Sequence, residues 1–162
     1  MAGSIMVLAL VGAPVGGYIV DRWKHSRKNA RMFFPAVSVF ISSVLLFIAF
    51  ILLEGKAQIY VLYAFGIWVM TFVAGAAAVT QDVIHPGLRA TSYSIAVTVQ
   101  NILGSFTAPL ALALLYKYYN IKVAMSILPF VLVIGAVLFF LGSRYYVRDM
   151  EKVAQVKLEA NE

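Results

Sequence analysis

Five stretches of about twenty residues, at positions 2–20, 32–53, 59–80, 90–115 and 123–142, contain no Asp, Glu, Lys, Arg or His. A helix needs about 20 apolar residues to cross the hydrocarbon core of a bilayer. Without water to satisfy the backbone, only helices and closed barrels can span it. Barrel strands are about ten residues long and alternate in polarity, whereas these runs are longer and apolar on every face. The pattern predicts an all-α, polytopic membrane helix bundle of about five transmembrane helices over 1–142, with a charged tail over 143–162. Composition agrees: 62% of the 162 residues are hydrophobic and 12% charged, about half the charged share of a soluble domain. The first run carries no charge at its start and exceeds the 7–15 apolar residues typical of a cleaved signal peptide, so it is counted as a span.

The formal net charge of +6 raises nucleic acid as a partner, but the basic residues stand at the ends of the apolar runs. The excess of Lys and Arg on cytoplasmic loops already accounts for them. Placing the cluster Arg22, Lys24, Arg27, Lys28 and Arg31 inside and alternating the spans puts Arg89, Arg144, Arg148, Lys152 and Lys157 inside too, ten in all. Lys56, Lys117 and Lys122 fall outside. The amino terminus is then external and the tail cytoplasmic, with no nucleic acid implied. The chain has no cysteine, which excludes disulfides, zinc thiolates and thiol nucleophiles. An external start with no flanking charge, followed by five spans, reads as a piece of a longer protein whose missing part precedes Met1.

The residues Gly17-Tyr18-Ile19-Val20-Asp21-Arg22, followed by a basic cluster, resemble the Gly-x-x-x-Asp-Arg cytoplasmic loop signature of the major facilitator superfamily, with Lys24 where the family usually has glycine. A second stretch, Pro86-Gly87-Leu88-Arg89-Ala90, resembles the family's Pro-x-x-Arg-Gly/Ala loop before the eleventh helix. The following span carries Asn101, Gly104 and Pro109, as in family members. The resemblance implies helices eight to twelve, the carboxyl-terminal portion of a transporter. Helices two to six form the rival register, placed second because no arginine-bearing fourth-helix motif appears at 59–80. The stretch 100–109, Gln-Asn-Ile-Leu-Gly-Ser-Phe-Thr-Ala-Pro, is similar to spinster-type lipid transporters.

The resemblance implies alternating access for a small organic solute in the plasma (cell inner) membrane, with the missing amino-terminal half as partner and no cofactor. It gives Asp21 the role of a latch at the cytoplasmic gate, set against the amino-terminal end of a helix from the other half. Gly17 belongs to the same motif. Arg22, Arg27 and Arg89 pair with carboxylates or anionic head groups around that seam, a role that competes with topology charge alone. The pair Gly12 and Gly16 has the spacing that lets two membrane helices approach closely. Pro14 and Pro109 permit bends. Polar side chains within the spans mark a candidate substrate path: Thr71 with Trp68 beside it, and Gln100 and Asn101, since an amide at mid-membrane needs a partner or a cavity. Hydrogen bonding between helices explains them equally well.

Enzyme chemistry finds no footing. The chain lacks Gly-x-Ser-x-Gly, paired aspartates and His-Glu-x-x-His, the arrangements such sites use. His25 and His85 stand sixty residues apart, and Asp82 with His85 reads as a helix-end pair rather than metal ligands. The other function class left standing is a non-catalytic five-helix subunit or scaffold that assembles with partner helices.

Overall fold

The computed structural model describes residues 2–25, 27 and 29–159, with side chains described for 7, 10–25, 27, 29–85 and 87–153. Lys28 and Glu162, and the side chains of Lys157 and Glu159, lie outside the described residues. Seven α-helices follow one another: α1 (Ala2–Lys24), α2 (Ala30–Phe47), α3 (Lys56–Val69), α4 (Thr71–Asp82), α5 (Arg89–Gln100), α6 (Thr107–Tyr118) and α7 (Ile121–Glu159). A π-helical stretch, Ile48–Leu52, extends α2, and another, Asn101–Phe106, joins α5 to α6, while α3 runs into α4 with only Met70 between them. The result is five rods. Four of them, Ala30–Leu52, Lys56–Asp82, Arg89–Tyr118 and Ile121–Val153, are long and apolar enough to cross a membrane by length and composition. Helix α1 supplies the fifth rod with 23 residues, about 34 Å at 1.5 Å per residue.

Helix α2 is the hub. It packs against α7 along their length and also meets α1, α3 and α4. Phe34, Ala36, Val39, Leu46 and Ala49 are buried there, together with Ser38, Ser42 and Ser43. Lipid gives two helices no hydrophobic reason to associate, so small residues and interhelical hydrogen bonds carry the packing. Ser43 Oγ donates to the Pro129 carbonyl of α7 at 2.7 Å, and Ser38 Oγ lies 2.5 Å from Thr71 Oγ1 of α4. The α5–α6 rod contributes no buried residue.

Three features depart from a plain reading of the apolar runs. The span expected over 59–80 breaks at Met70, because the Trp68 carbonyl turns to the hydroxyl of Thr71 at 2.7 Å and that of Ser38 at 3.4 Å. Side chains that enter the carbonyl ladder in this way are an established cause of kinks. The span expected over 90–115 contains the π-helical stretch just before Pro109, whose ring cannot accept a normal carbonyl four residues earlier. The tail expected from 143 has no helix boundary of its own, since α7 continues through it to Glu159 as one helix of 39 residues. At about 58 Å that helix exceeds the roughly 40–45 Å of a whole bilayer.

The connection after Leu52 turns at Gly55 with φ 70°, a left-handed conformation open to glycine at no steric cost. Beside it Lys122 Nζ donates to Glu54 Oε1 at 2.5 Å, and that hydrogen bond holds the Glu54 carboxyl below its ordinary value. A lowered carboxyl pKa in the folded state stabilises above the unfolded value of 4.5 and is lost as pH falls through the folded value. The Lys122→Gln variant is therefore expected to be slightly less stable than the parent at pH 7, to lose less stability between about pH 5 and pH 3, and to converge with the parent at the acid end of that range. Paired unfolding curves across that range check it.

Candidate functional site

Asp82 is the last residue of α4 and Arg31 the second residue of α2. Each charge stands at the wrong end of its helix: the partial negative charge at a carboxyl end disfavours a carboxylate, and the positive amino end disfavours a guanidinium, by about 0.3–1 kcal/mol each. The fold resolves this by pairing them. Arg31 Nη1 lies 2.7 Å from both Asp82 carboxylate oxygens, Tyr146 Oη of α7 donates to Asp82 Oδ2 at 2.5 Å, and Arg31 Nη2 reaches Asp21 Oδ1 of α1 at 3.4 Å. One cluster thus ties α1, α2, α4 and α7 at the end of the bundle where the basic residues gather.

Its two sides differ in burial. The side chains of Arg31 and Asp82 are 20% and 18% exposed, whereas that of Asp21 is 70% exposed. Tyr146, the third member, is buried, which limits water at the pair and strengthens charge-assisted hydrogen bonds. Asp82–Arg31–Tyr146 is a clamp within this chain. Asp21 touches it only weakly and presents its carboxylate outward.

The residues singled out in the sequence fall in several places. Gly12 and Gly16 face the break between α3 and α4: a Cβ on Gly12 would strike the Ile67 carbonyl, and one on Gly16 would come within 2.6 Å of Thr71 Cα. Gly17 looks onto Ala74 at an ordinary 3.6 Å. Gly104 meets nothing within 4 Å, so it packs no helix among the described residues. Pro14 lies inside an unbroken α1, and Pro109 follows the π-helical stretch. Arg22, Arg27 and Arg89 are exposed, and none of the three forms an ion pair among the described residues.

The candidate substrate-path residues are not brought together. Thr71 is 1% exposed and committed to Ser38 and the Trp68 carbonyl; the buried Trp68 indole N–H has no partner among the described residues. Gln100 lines a separate cavity of about 310 Å³ on the other side of α4, with Tyr93, Thr80, Phe72 and Phe139. Asn101 is exposed and accepts from Ser105 Oγ at 3.3 Å. Asp82 and His85 also part company, since His85 Nδ1 accepts from the Gly87 N–H at 3.3 Å.

Arg31, Asp82 and Tyr146 escaped the sequence reading, which counted Arg31 only as a topology charge. A signal was present for two of them. Asp82 is the sole acid between Glu54 and Asp149 and ends a helix, while Arg31 opens one, and charges that oppose both helix dipoles imply a compensating pair. Nothing in the sequence pointed to Tyr146.

No match is found among curated proteins or among solved structures. A sequence model described as Major Facilitator Superfamily matches residues 1–109, which takes in the Gly17 to Arg22 signature, the clamp residues Arg31 and Asp82, and Arg89. With about two thirds of its residues matched in an all-α bundle of membrane-length helices, the chain belongs to the major facilitator superfamily of transporters.

Proposed function

We propose that this chain is the carboxyl-terminal portion, helices eight to twelve, of a secondary transporter or uniporter that moves a small organic solute across the plasma (cell inner) membrane. It works with an amino-terminal half, the two bundles rocking about a site between them. The α1 rod is the fifth span, the basic end is cytoplasmic, and α7 leaves the membrane there as a helical tail from 143 onward. Gln100 and Asn101 belong to the substrate path, while Trp68 and Thr71 sit at the helix break that shapes it.

The observation that carries this reading is the division of the charge cluster. The Arg31–Asp82 pair is made within the chain, but Asp21, in the signature motif at the end of α1, keeps its carboxylate exposed and available to a group outside it. Set against the amino-terminal end of a helix in the other half, that carboxylate closes the cytoplasmic gate through the helix dipole and releases it when the halves rock apart. The latch predicts a split outcome for Asp21→Asn. An exposed contact of this kind contributes about 0–1 kcal/mol, so the unfolding midpoint of this chain stays nearly unchanged. The intact carrier shifts toward its inward-facing state. Labelling of cysteines placed at the cytoplasmic gate reads the shift, and an unaltered labelling pattern sinks the latch.

A further inference from the structure

Between α2 and α7 a groove opens away from the bundle. Ala36 and Ala136 form its floor, and Phe33, Phe40, Phe140 and Val137 rise around them, enclosing about 270 Å³. The groove exists because two small side chains face each other where the flanking turns carry large ones. Its volume falls just below the roughly 300–1,000 Å³ usual for drug-sized ligands, and such ligands also need placed polar groups; this wall offers only apolar side chains. Phe40, Val137 and Phe140 remain about half exposed, at 53%, 50% and 45%, on a flank lined by α2 and α7 alone. A flexible hydrocarbon chain fits such a wall.

One end of the groove is charged. Side chains lean toward the amino end of their helix, which brings Arg144 back over Phe140, its guanidinium carbon 5.8 Å from the ring centroid. Phe140 in turn meets Phe33 at 6.0 Å, and Phe33 meets Trp23 at 6.0 Å. Since the Phe33–Phe140 contact sets the two helices level, Arg144, one turn further on, stands level with the start of α2 at Ala30, the depth of head groups rather than of acyl chains. Of the other charges at this end, Arg31 holds Asp82 and Asp21 and Lys152 lies 3.8 Å from Asp149, while Arg22, Lys24, Arg27 and Arg89 are exposed as well; Arg144 is set apart by lying over Phe140 of the groove itself. Arg144 and Arg148, four residues apart on one face, are exposed and in no ion pair among the described residues.

We propose that this groove is a binding site for an anionic phospholipid, one acyl chain lying between Phe33, Phe40, Val137 and Phe140 and the phosphate held by Arg144, with Arg148 as the next cation along the helix. The occupant is a lipid because an apolar trough opens onto the bilayer and ends in an unpaired arginine at head-group depth. A basic residue near the surface adds about 1 kcal/mol toward anionic lipid, which is about a fivefold preference.

Native mass spectrometry of the full chain, released from micelles carrying phosphatidylglycerol or phosphatidylcholine with identical acyl chains, tests the site. Phosphatidylglycerol is expected to bind about fivefold more tightly, Arg144→Gln to erase that preference while phosphatidylcholine still binds, and Val137→Trp to reduce both by filling the trough. Lys122→Gln, at the far end of α7, leaves the preference intact. A preference that survives Arg144→Gln, or binding that survives Val137→Trp, overturns the proposal. So does a delipidated dimer that Val137→Trp dissolves, which would give the groove to a second copy. Should Val137→Trp fail to fold, quenching of Trp23 by bromine-labelled lipids in a Trp68→Phe background decides instead: stronger quenching by the phosphatidylglycerol form, abolished by Arg144→Gln, is expected, and equal quenching by both lipids overturns the site.

Discussion

Asp82→Ala is expected to destabilise the bundle by about 2–4 kcal/mol, the largest effect of any single substitution at the charged cluster. Removing one member of a buried ion pair costs roughly 3–5 kcal/mol because the other charge is left in low dielectric, and the exposure of Arg31 and Asp82, 20% and 18%, reduces that range somewhat. Two hydrogen bonds to Arg31 and one to Tyr146 vanish together. Arg31 retains only the long contact to Asp21, with its buried Nε already lacking a partner, and it still stands at the amino end of α2, where the dipole repels it. The thermal midpoint in detergent should fall by roughly 5–10 °C. The double variant Arg31→Gln/Asp82→Asn should recover much of the loss, since no unpaired charge remains. A double variant as unstable as Asp82→Ala would show that the stranded Arg31 charge is not the source of the loss.

The second large effect concerns Gly16. Its ideal Cβ would fall 2.6 Å from Thr71 Cα and 2.7 Å from the Thr71 carbonyl carbon, and backbone cannot yield as a flexible side chain does. Gly16→Ala therefore has to part α1 from α4, which also strains the Ser38–Thr71–Trp68 hydrogen bonds at the helix break. Overpacking of this kind costs about 1–3 kcal/mol, and Gly16→Leu costs more and is expected to leave little folded protein. Gly104 is the matched comparison. Nothing lies within 4 Å of the added carbon there, so Gly104→Ala should be neutral or slightly stabilising. Thermal unfolding of the three variants side by side checks both halves, and equal behaviour of Gly16→Ala and Gly104→Ala would show that α1 does not approach α4 closely.

These two cases mark how far the sequence could be followed. The Gly12 and Gly16 spacing pointed to a close helix approach, because small residues four apart let two backbones come near. The partner itself, the helix break at Met70, could not be read, since it depends on where Ser38 of another rod presents its hydroxyl. At the charged cluster the sequence drew attention to Asp21 and Arg22 through their motif. The tighter pairing belongs to Asp82 and Arg31, fifty-one residues apart, and to a tyrosine with no motif at all.

What the sequence determined by itself is everything governed by the solvent around a single segment: the uncharged runs had to become helices, four of them long and apolar enough to cross a membrane, and the crowding of basic residues at one set of run ends gave the bundle a charged end. What the tertiary structure decided is everything that depends on two segments meeting, namely which rods touch, where the third rod breaks, how Thr71 and Gln100 come to face opposite sides of α4, and which of the cluster's carboxylates is paired and mostly buried and which left exposed. Hydropathy is a property of one residue in its local run. Pairing is a property of distances across the bundle, and residues far apart in the chain acquire those distances only when it folds.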